Sequence, residues 1–396
     1  MKSKSVIGLL GLSGFIVMAD NWVVSPILPA ISEHLNVDVA RAGLLIAAYM
    51  IPFGIFQIVF GPLADRYGKK QVITFSMILF TLATGLCALG MGLTDLAIYR
   101  ALTGVFAASV MPVSLALIGD IFPIQERQGA IGIFMGISFL GQGLSMVIGG
   151  TIAYFLSWRG VFGLYAVLSV IPTLLLIAHY KHLPSNKNPE SRFFAPYAKL
   201  LGNSKSLFTY ILVAFEGVFI IGSFSYLGVY ISRLYHFNYF YIGLIMTAFG
   251  LATVLGGKMS GKLVHRMGPR KLLSLGLICA TLADLALAYF GHLLGAMVGS
   301  VALLGFGFIF THSTLLTRAT EFARKARGAA MSLVAFCFMG GGGLGTAIGG
   351  RIIGTYSLER LFWVYGLALL ITLLLSYVLI RDHVVEENEL LEQVVS

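Results

Sequence analysis

Long apolar stretches recur from one end of the chain to the other, broken by short polar or glycine-containing joints. Twelve reach the length of a membrane-spanning helix, about 20 mostly apolar residues. They lie at roughly 6–30, 42–63, 72–92, 96–118, 129–153 and 160–180, and then at 207–232, 240–262, 271–290, 294–317, 328–353 and 360–380. Helices are the form expected of them, because open strands cannot satisfy their backbone groups in hydrocarbon. The fold class predicted is an all-α membrane protein of twelve transmembrane helices. The longest polar stretch, 181–206, carries Pro, Asn, Ser and charged residues and predicts a cytoplasmic linker, with a short interfacial helix around 193–201. It divides the chain into a six-helix bundle over 1–180 and a second over 207–381, followed by an acidic tail at 382–396. The first apolar run follows Lys2 and Lys4 and exceeds the ~7–15 residues of a leader's apolar core. It is read as a retained first helix.

The two halves repeat at a shift of 200 residues. Gly61-x-Leu63-x-x-Arg66-x-Gly68 meets Gly261-x-Leu263-x-x-Arg266-x-Gly268, and Gly141-x-Gly143-Leu144 meets Gly341-x-Gly343-Leu344. Ile148-Gly149-Gly150 meets Ile348-Gly349-Gly350, and Phe162 and Tyr165 meet Phe362 and Tyr365. One shared offset across several landmarks is not a chance match between apolar helices. Six spans return each half to its starting side, so the repeat is parallel and its axis runs along the membrane normal. Carriers that rock two bundles about a midplane site are built this way.

Composition agrees: 58% of residues are hydrophobic and 11% charged, against ~45–50% and ~25% in soluble domains. The formal charge of +10 raises a nucleic-acid reading, which the placement of the cations removes. Twenty of the 27 Lys and Arg fall at the N-terminus and in the even-numbered loops, five in the odd loops, and Lys258 and Arg100 inside spans. This bias puts both termini in the cytoplasm. Cys87, Cys279 and Cys337 lie in apolar stretches and read as small buried hydrophobes. No metal-ligand spacing, phosphate loop or Ser/His/Asp constellation accompanies them, so a membrane enzyme is disfavoured. Nor is there a soluble sensor domain, as a receptor would carry.

Gly61-Pro62-Leu63-Ala64-Asp65-Arg66-Tyr67-Gly68-Lys69-Lys70 joins the second span to the third. Gly61 permits a close helix approach, Gly68 a tight turn, and Asp65 suits the positive end of a neighbouring helix. Arg66, Lys69 and Lys70 hold the loop in the cytoplasm. This decapeptide resembles the signature loop motif of the major facilitator superfamily, and the resemblance covers the whole chain. It implies a two-bundle fold and a contact of Asp65 with the start of the eleventh helix near Gly328 that closes the cytoplasmic side in the outward-facing state. In the second copy His265 stands where the first has its acid. Leu96-x-x-x-Arg100-x-x-x-Gly104-x-x-Ala107-Ala108 resembles the family's second motif. Asp20 to Pro29 and Trp158-Arg159-x-x-Phe162 are similar to patterns of its twelve-helix drug:proton antiporters. The fifth helix keeps Gly141, Gly143, Gly149 and Gly150 but has Ser145-Met146 where those antiporters have Gly-Pro.

An ionisable side chain at mid-membrane costs roughly 2.5–3.5 kcal/mol on insertion scales and calls for a reason. Asp20, in the first helix, is either a hydrogen-bond partner for a neighbouring helix or a proton or cation site. Glu216, in the seventh, is either an ion-pair partner or a second such site, facing Asp20 across one cavity. Arg100 either pairs permanently with Asp20 or releases it on protonation, which would make a switch. Asp284, on a peripheral helix, reads as structural or interfacial, and His312 as a satisfied polar residue or a proton carrier. Gln57, Gln142, Trp22, Phe215 and Phe308 are candidate cavity residues, with helix packing as the alternative for each aromatic. The function expected is proton-coupled efflux of hydrophobic or cationic small molecules by alternating access, of the multidrug type. A metabolite exporter, for a sugar or amino acid, or a lipid translocator would share the fold. No cofactor is expected beyond the proton as coupling ion. The expected setting is the cell membrane, as a monomer in contact with lipid and a small-molecule substrate and not with nucleic acid.

Overall fold

A computed structural model describes residues 3–183, 195–322 and 327–379. The predicted tail at 382–396 and residues 184–194 of the polar linker lie outside the described residues. Twelve described helices are long and apolar enough to cross a membrane. They are α1 (Ser3–Trp22, resumed as Val24–Leu35), α2 (Val39–Ala42, resumed as Leu44–Tyr67), α3 (Lys69–Ala88), α4 (Leu93–Ala107 and Val110–Ile121), α5 (Ile124–Phe155) and α6 (Trp158–Ala178). Then follow α7 (Ser204–Glu216, the π-helical turn Gly217–Ile221 and Gly222–Tyr235), α8 (Tyr239–Met267), α9 (Pro269–Phe290), α10 (Leu294–Glu321), α11 (Arg327–Thr355) and α12 (Leu358–Leu379). A short linker helix, Ala195–Gly202, precedes α7.

Two interruptions have one local cause. A proline has no N–H and its ring crowds the carbonyl four residues back. Pro26 acts so on Trp22, where α1 breaks, and Pro112 on Ala108, where α4 breaks. Both breaks fall beside the central cavity described below.

The repeat seen in sequence returns in backbone detail. Gly68 and Gly268 turn the chain at φ 107° and 83°, a region open to glycine. Asn36 and His236 end α1 and α7 at φ 50° and 53°. Ser157 Oγ accepts from Gly160 N, and Ser357 Oγ from Arg360 N, both at 3.2 Å. Each pair is 200 residues apart.

Within the first six helices α1 packs on α5, α2 on α4, and α3 on α6 and α4; within the second six, α10 packs on α8 and α9, α12 on α9, and α11 on α7. The main seams between the sets are α2–α11, α5–α8 and α1–α7. Glycines bring backbones together along them. A Cβ on Gly54 would lie 2.9 Å from Gly340 N, on Gly228 2.3 Å from Ser25 O, and on Gly150 2.3 Å from Tyr239 O. All three contacts lie in the middle or toward the end away from the linker helix, the far end. Toward the linker end the seams part: a Cβ on Gly129, Gly132, Gly136 or Gly261 would meet nothing within 4 Å. Large apolar side chains such as Leu82, Val167, Leu251 and Leu374 are mostly exposed on the outer faces, as a lipid solvent requires.

Candidate functional site

A cavity of about 610 Å³ lies between the two sets of helices. It runs from Trp22 and Phe308 at its depth to Asp65, Gly119 and Gly328 near the linker-end helix termini, with Tyr197 of the linker helix at its mouth. Five methionines, Met18, Met111, Met135, Met331 and Met339, stand in the wall with Phe53, Phe139 and Phe338. Thioethers adapt to varied apolar shapes. Polar contributions at depth come from Gln57, Gln142 and His312. The structure thus places Gln57, Gln142, Trp22, Phe308 and His312 together in the wall. Phe215 is a correction: its ring packs on Phe219 at 5.8 Å and it is not among the lining residues.

Glu216 ends the first segment of α7, immediately before the π-turn, and is fully buried. His312 reaches it from α10, with Nδ1 3.3 Å from both carboxylate oxygens. The imidazole sits between Phe308, centroids 5.2 Å apart, and Phe338, 4.7 Å. The Glu216 carboxylate is not itself in the cavity wall; His312 is, so the cavity reaches Glu216 through the imidazole. The sequence marked both residues, but a separation of 96 positions gave no sign that they meet.

Asp20 and Arg100 form the other buried pair. Arg100 Nη1 donates to Asp20 Oδ2 at 2.8 Å and Nη2 to the Asp20 carbonyl at 3.3 Å. The guanidinium lies 4.3 Å from the Tyr49 ring centroid and 5.5 Å from that of Phe162, a desolvated cation–π setting. Neither residue lines the cavity. The expectation that Asp20 and Glu216 face one cavity directly is therefore corrected. Asp20 is sealed within the first six helices by its cation, and Glu216 stands behind His312.

The loop motif is laid out differently from its sequence reading. Gly68 makes the turn, Arg66 is exposed over the ring of Tyr67, and Lys70 lies over Tyr180 at 5.0 Å. Lys69, read as a loop cation, is buried. Its Nζ donates to Asp120 Oδ2 at 2.7 Å and lies 4.0 Å from Asp65, so it ties α3 to the end of α4. Asp120 was not singled out in the sequence. Asp65 lines the cavity mouth with Gly328 across from it, while Gly61 has nothing nearer its Cβ position than Ser332 Oγ and Tyr197 Oη, both 3.9 Å away.

Of the fifth-helix glycines, Gly141 meets Phe15 O of α1 and Gly149 meets Val23, each 2.1 Å from the Cβ position. Gly150 meets α8, and Gly143 is the point where Gly250 crosses: a Cβ on Gly250 would lie 2.8 Å from Gly143 Cα. Asp284 is fully buried and accepts from Ser223 Oγ at 2.8 Å, which makes it a bond between α9 and α7. Tyr197, also unmarked in the sequence, is buried, and its Oη donates to the Ile58 carbonyl at 3.1 Å. Burial pushes this phenol above its ordinary value, with the Ser332 hydroxyl opposing, so it remains a donor.

Twelve described helices in a duplicated arrangement surround a central cavity that opens toward the linker end, the architecture of a two-bundle carrier. The known proteins agree. The profile of the Major Facilitator Superfamily matches residues 10–326 and 230–394; the chain belongs to this superfamily and is one of its transporters. It is 29% identical over 346 residues to the uncharacterized MFS-type transporter YceJ of Bacillus subtilis, covering 85% of this chain and 86% of that one. It is 26% identical to a probable sugar efflux transporter of Helicobacter pylori, covering 94% and 95%. A 177-residue stretch, 44% of this chain and 34% of the relative, is 28% identical to multidrug resistance protein 3 of Bacillus subtilis. Among solved structures, the nucleoside transporter NupG (D323A mutant) superposes with a TM-score of 0.79 at 14% identity, covering 96% of this chain and all of that one. A bacterial homologue of the lysosomal transporter Spinster gives 0.77 at 19%, covering 96% and 97%.

Proposed function

We propose that this protein exports hydrophobic, including cationic, small molecules across the cell membrane in exchange for protons, by alternating access. The observation that carries the reading is His312, which stands in the wall of an apolar cavity with its ring nitrogen on the buried Glu216. A proton held by this pair puts positive charge on the cavity wall at His312 and so opposes a cation in the cavity, which links the two fluxes. A unit charge crossing 100 mV is worth about 2.3 kcal/mol, enough for roughly a 50-fold gradient. The methionine-rich wall supports an apolar cargo over a sugar, which calls for a denser set of hydrogen-bonding side chains. The positive bias of the even loops orients the linker end, and with it the open mouth, to the cytoplasm, with both termini there. The transporter acts as a monomer of two bundles, residues 1–180 and 207–381, joined by 181–206. Asp20 and Arg100 are a second coupling element, broken when Asp20 takes a proton. Asp65 closes the mouth against the start of α11 in the outward-facing state.

Everted vesicles with an imposed pH gradient test the proposal. Wild-type protein is expected to accumulate a lipophilic cation in proportion to the gradient, and Glu216→Gln to exchange it without regard to pH. Gradient-dependent accumulation undiminished in Glu216→Gln removes this pair from coupling. Transport of sugars alone would favour the metabolite-exporter reading that the Helicobacter relative's name suggests.

A further inference from the structure

The linker helix reaches into the cavity mouth with one side chain, and a gap in the backbone bonding of α2 receives it. Pro62 has no N–H, so the carbonyl of Ile58, four residues earlier in α2, loses its helical partner. An unpaired carbonyl away from water is costly. Tyr197 Oη donates to that carbonyl at 3.1 Å. The phenol therefore substitutes for the bond that proline removes, and does so from a segment that belongs to neither set of six helices.

Its position gives the contact a consequence. The α2–α11 seam is tight at Gly54, where a Cβ would lie 2.9 Å from Gly340 N. Two turns nearer the linker end the backbones no longer touch: at Gly61 the nearest atoms are side-chain ones, Ser332 Oγ of α11 and Tyr197 Oη, both at an ordinary contact distance of 3.9 Å from the Cβ position. Tyr197 stands in that opening, buried, and lines the mouth. For α2 and α11 to meet along their linker-end halves, as alternating access requires, the phenol must leave the seam and give up Ile58.

We propose that Tyr197 is a positioning residue of the transport cycle: a wedge carried by the linker helix that holds the linker-end mouth open through the carbonyl Pro62 leaves free. The proposal rests on alternating access and not on the identity of the cargo or the coupling ion. Its test needs neither substrate nor gradient, so it can fail while proton-coupled export stands. Spin labels at Tyr67→Cys and Lys271→Cys, both exposed and at the linker end, report the width of the mouth when Cys87, Cys279 and Cys337 are replaced. In detergent, Tyr197→Phe keeps the ring and removes the donor. One hydrogen bond of typical net worth corresponds to about a fivefold change in the ratio of states, and the shift is expected toward the shorter, closed-mouth distance. Pro62→Ala restores an N–H for Ile58. In that background Tyr197→Phe is expected to change the ratio by less than about twofold, the usual scatter of non-interacting substitutions. Unchanged distances in Tyr197→Phe, a shift toward a wider mouth, or a fivefold shift that persists with Pro62→Ala would each overturn the assignment.

Discussion

Substituting Gly228 should open the far end. Gly228 is where α7 crosses α1, and a Cβ placed there lies 2.3 Å from Ser25 O and 3.0 Å from Pro26 Cα. The obstacle is backbone on both counts, so no side-chain rotation relieves it. An ordinary carbon–oxygen contact is about 3.4 Å or longer, so alanine forces the helices apart by about 1 Å. Ser25 Oγ holds the same crossing through the carbonyls of Phe224 at 2.7 Å and Ser225 at 3.1 Å. A displacement of about 1 Å takes both beyond hydrogen-bonding range. One buried hydroxyl donor lost costs about 1 kcal/mol net, and lost packing at the seam adds to it. The far-end-closed state should therefore lose at least about fivefold in population relative to the far-end-open state. Spin labels at Met91→Cys and Tyr356→Cys, 87% and 70% exposed at that end, read the ratio as a longer distance in Gly228→Ala. Gly295→Ala, with nothing within 4 Å of its Cβ position, is the control and should leave the distances alone. A Gly228→Ala distribution matching wild type would refute the claim that this backbone contact seals the far end.

Two further outcomes concern the buried polar groups. Arg100→Met leaves Asp20 buried without its cation and should cost about 3–5 kcal/mol, seen as a large fall in thermal stability; adding Asp20→Asn should recover most of it, and equal stability of the single and double variants would show that the pair is not the reason. Ser223→Ala removes the hydroxyl that Asp284 Oδ2 accepts from and should cost about 1–3 kcal/mol; a denaturation midpoint equal to wild type would show that this bond does not tie α9 to α7.

Hydropathy alone located all twelve spans, because each crosses the bilayer as one apolar run and its length is fixed by the membrane. Edges shifted where polar residues continue a helix beyond the apolar run. Glu33 and His34 extend α1 to Leu35, past the predicted end near 30. The π-turn Gly217–Ile221 left no periodic trace, since five apolar residues read alike in either helix type. The breaks in α1 and α4 were legible in principle from Pro26 and Pro112. Site legibility follows the same division. Membrane charges stand out by their cost, so Asp20, Arg100, Glu216, Asp284 and His312 were all marked. Their pairing depends on which helix faces abut, and only Asp20 with Arg100 had a motif to suggest it. The bond of Lys69 to Asp120 was not legible, because that partner lies 51 residues on and a loop cation looks the same with or without one. Tyr197 and the methionines carry no charge and no motif. What makes them part of the site is where the linker helix and the seams put them.

The most direct test of the central claim, that cargo in the cavity and a proton on the His312–Glu216 pair exclude one another, is proton release on ligand binding. Purified protein in weakly buffered detergent solution, titrated with a lipophilic cation beside a pH indicator, should release protons in proportion to occupancy, and Glu216→Gln should bind the same cation without release. Binding with no proton release in wild type, or equal release from Glu216→Gln, would contradict it.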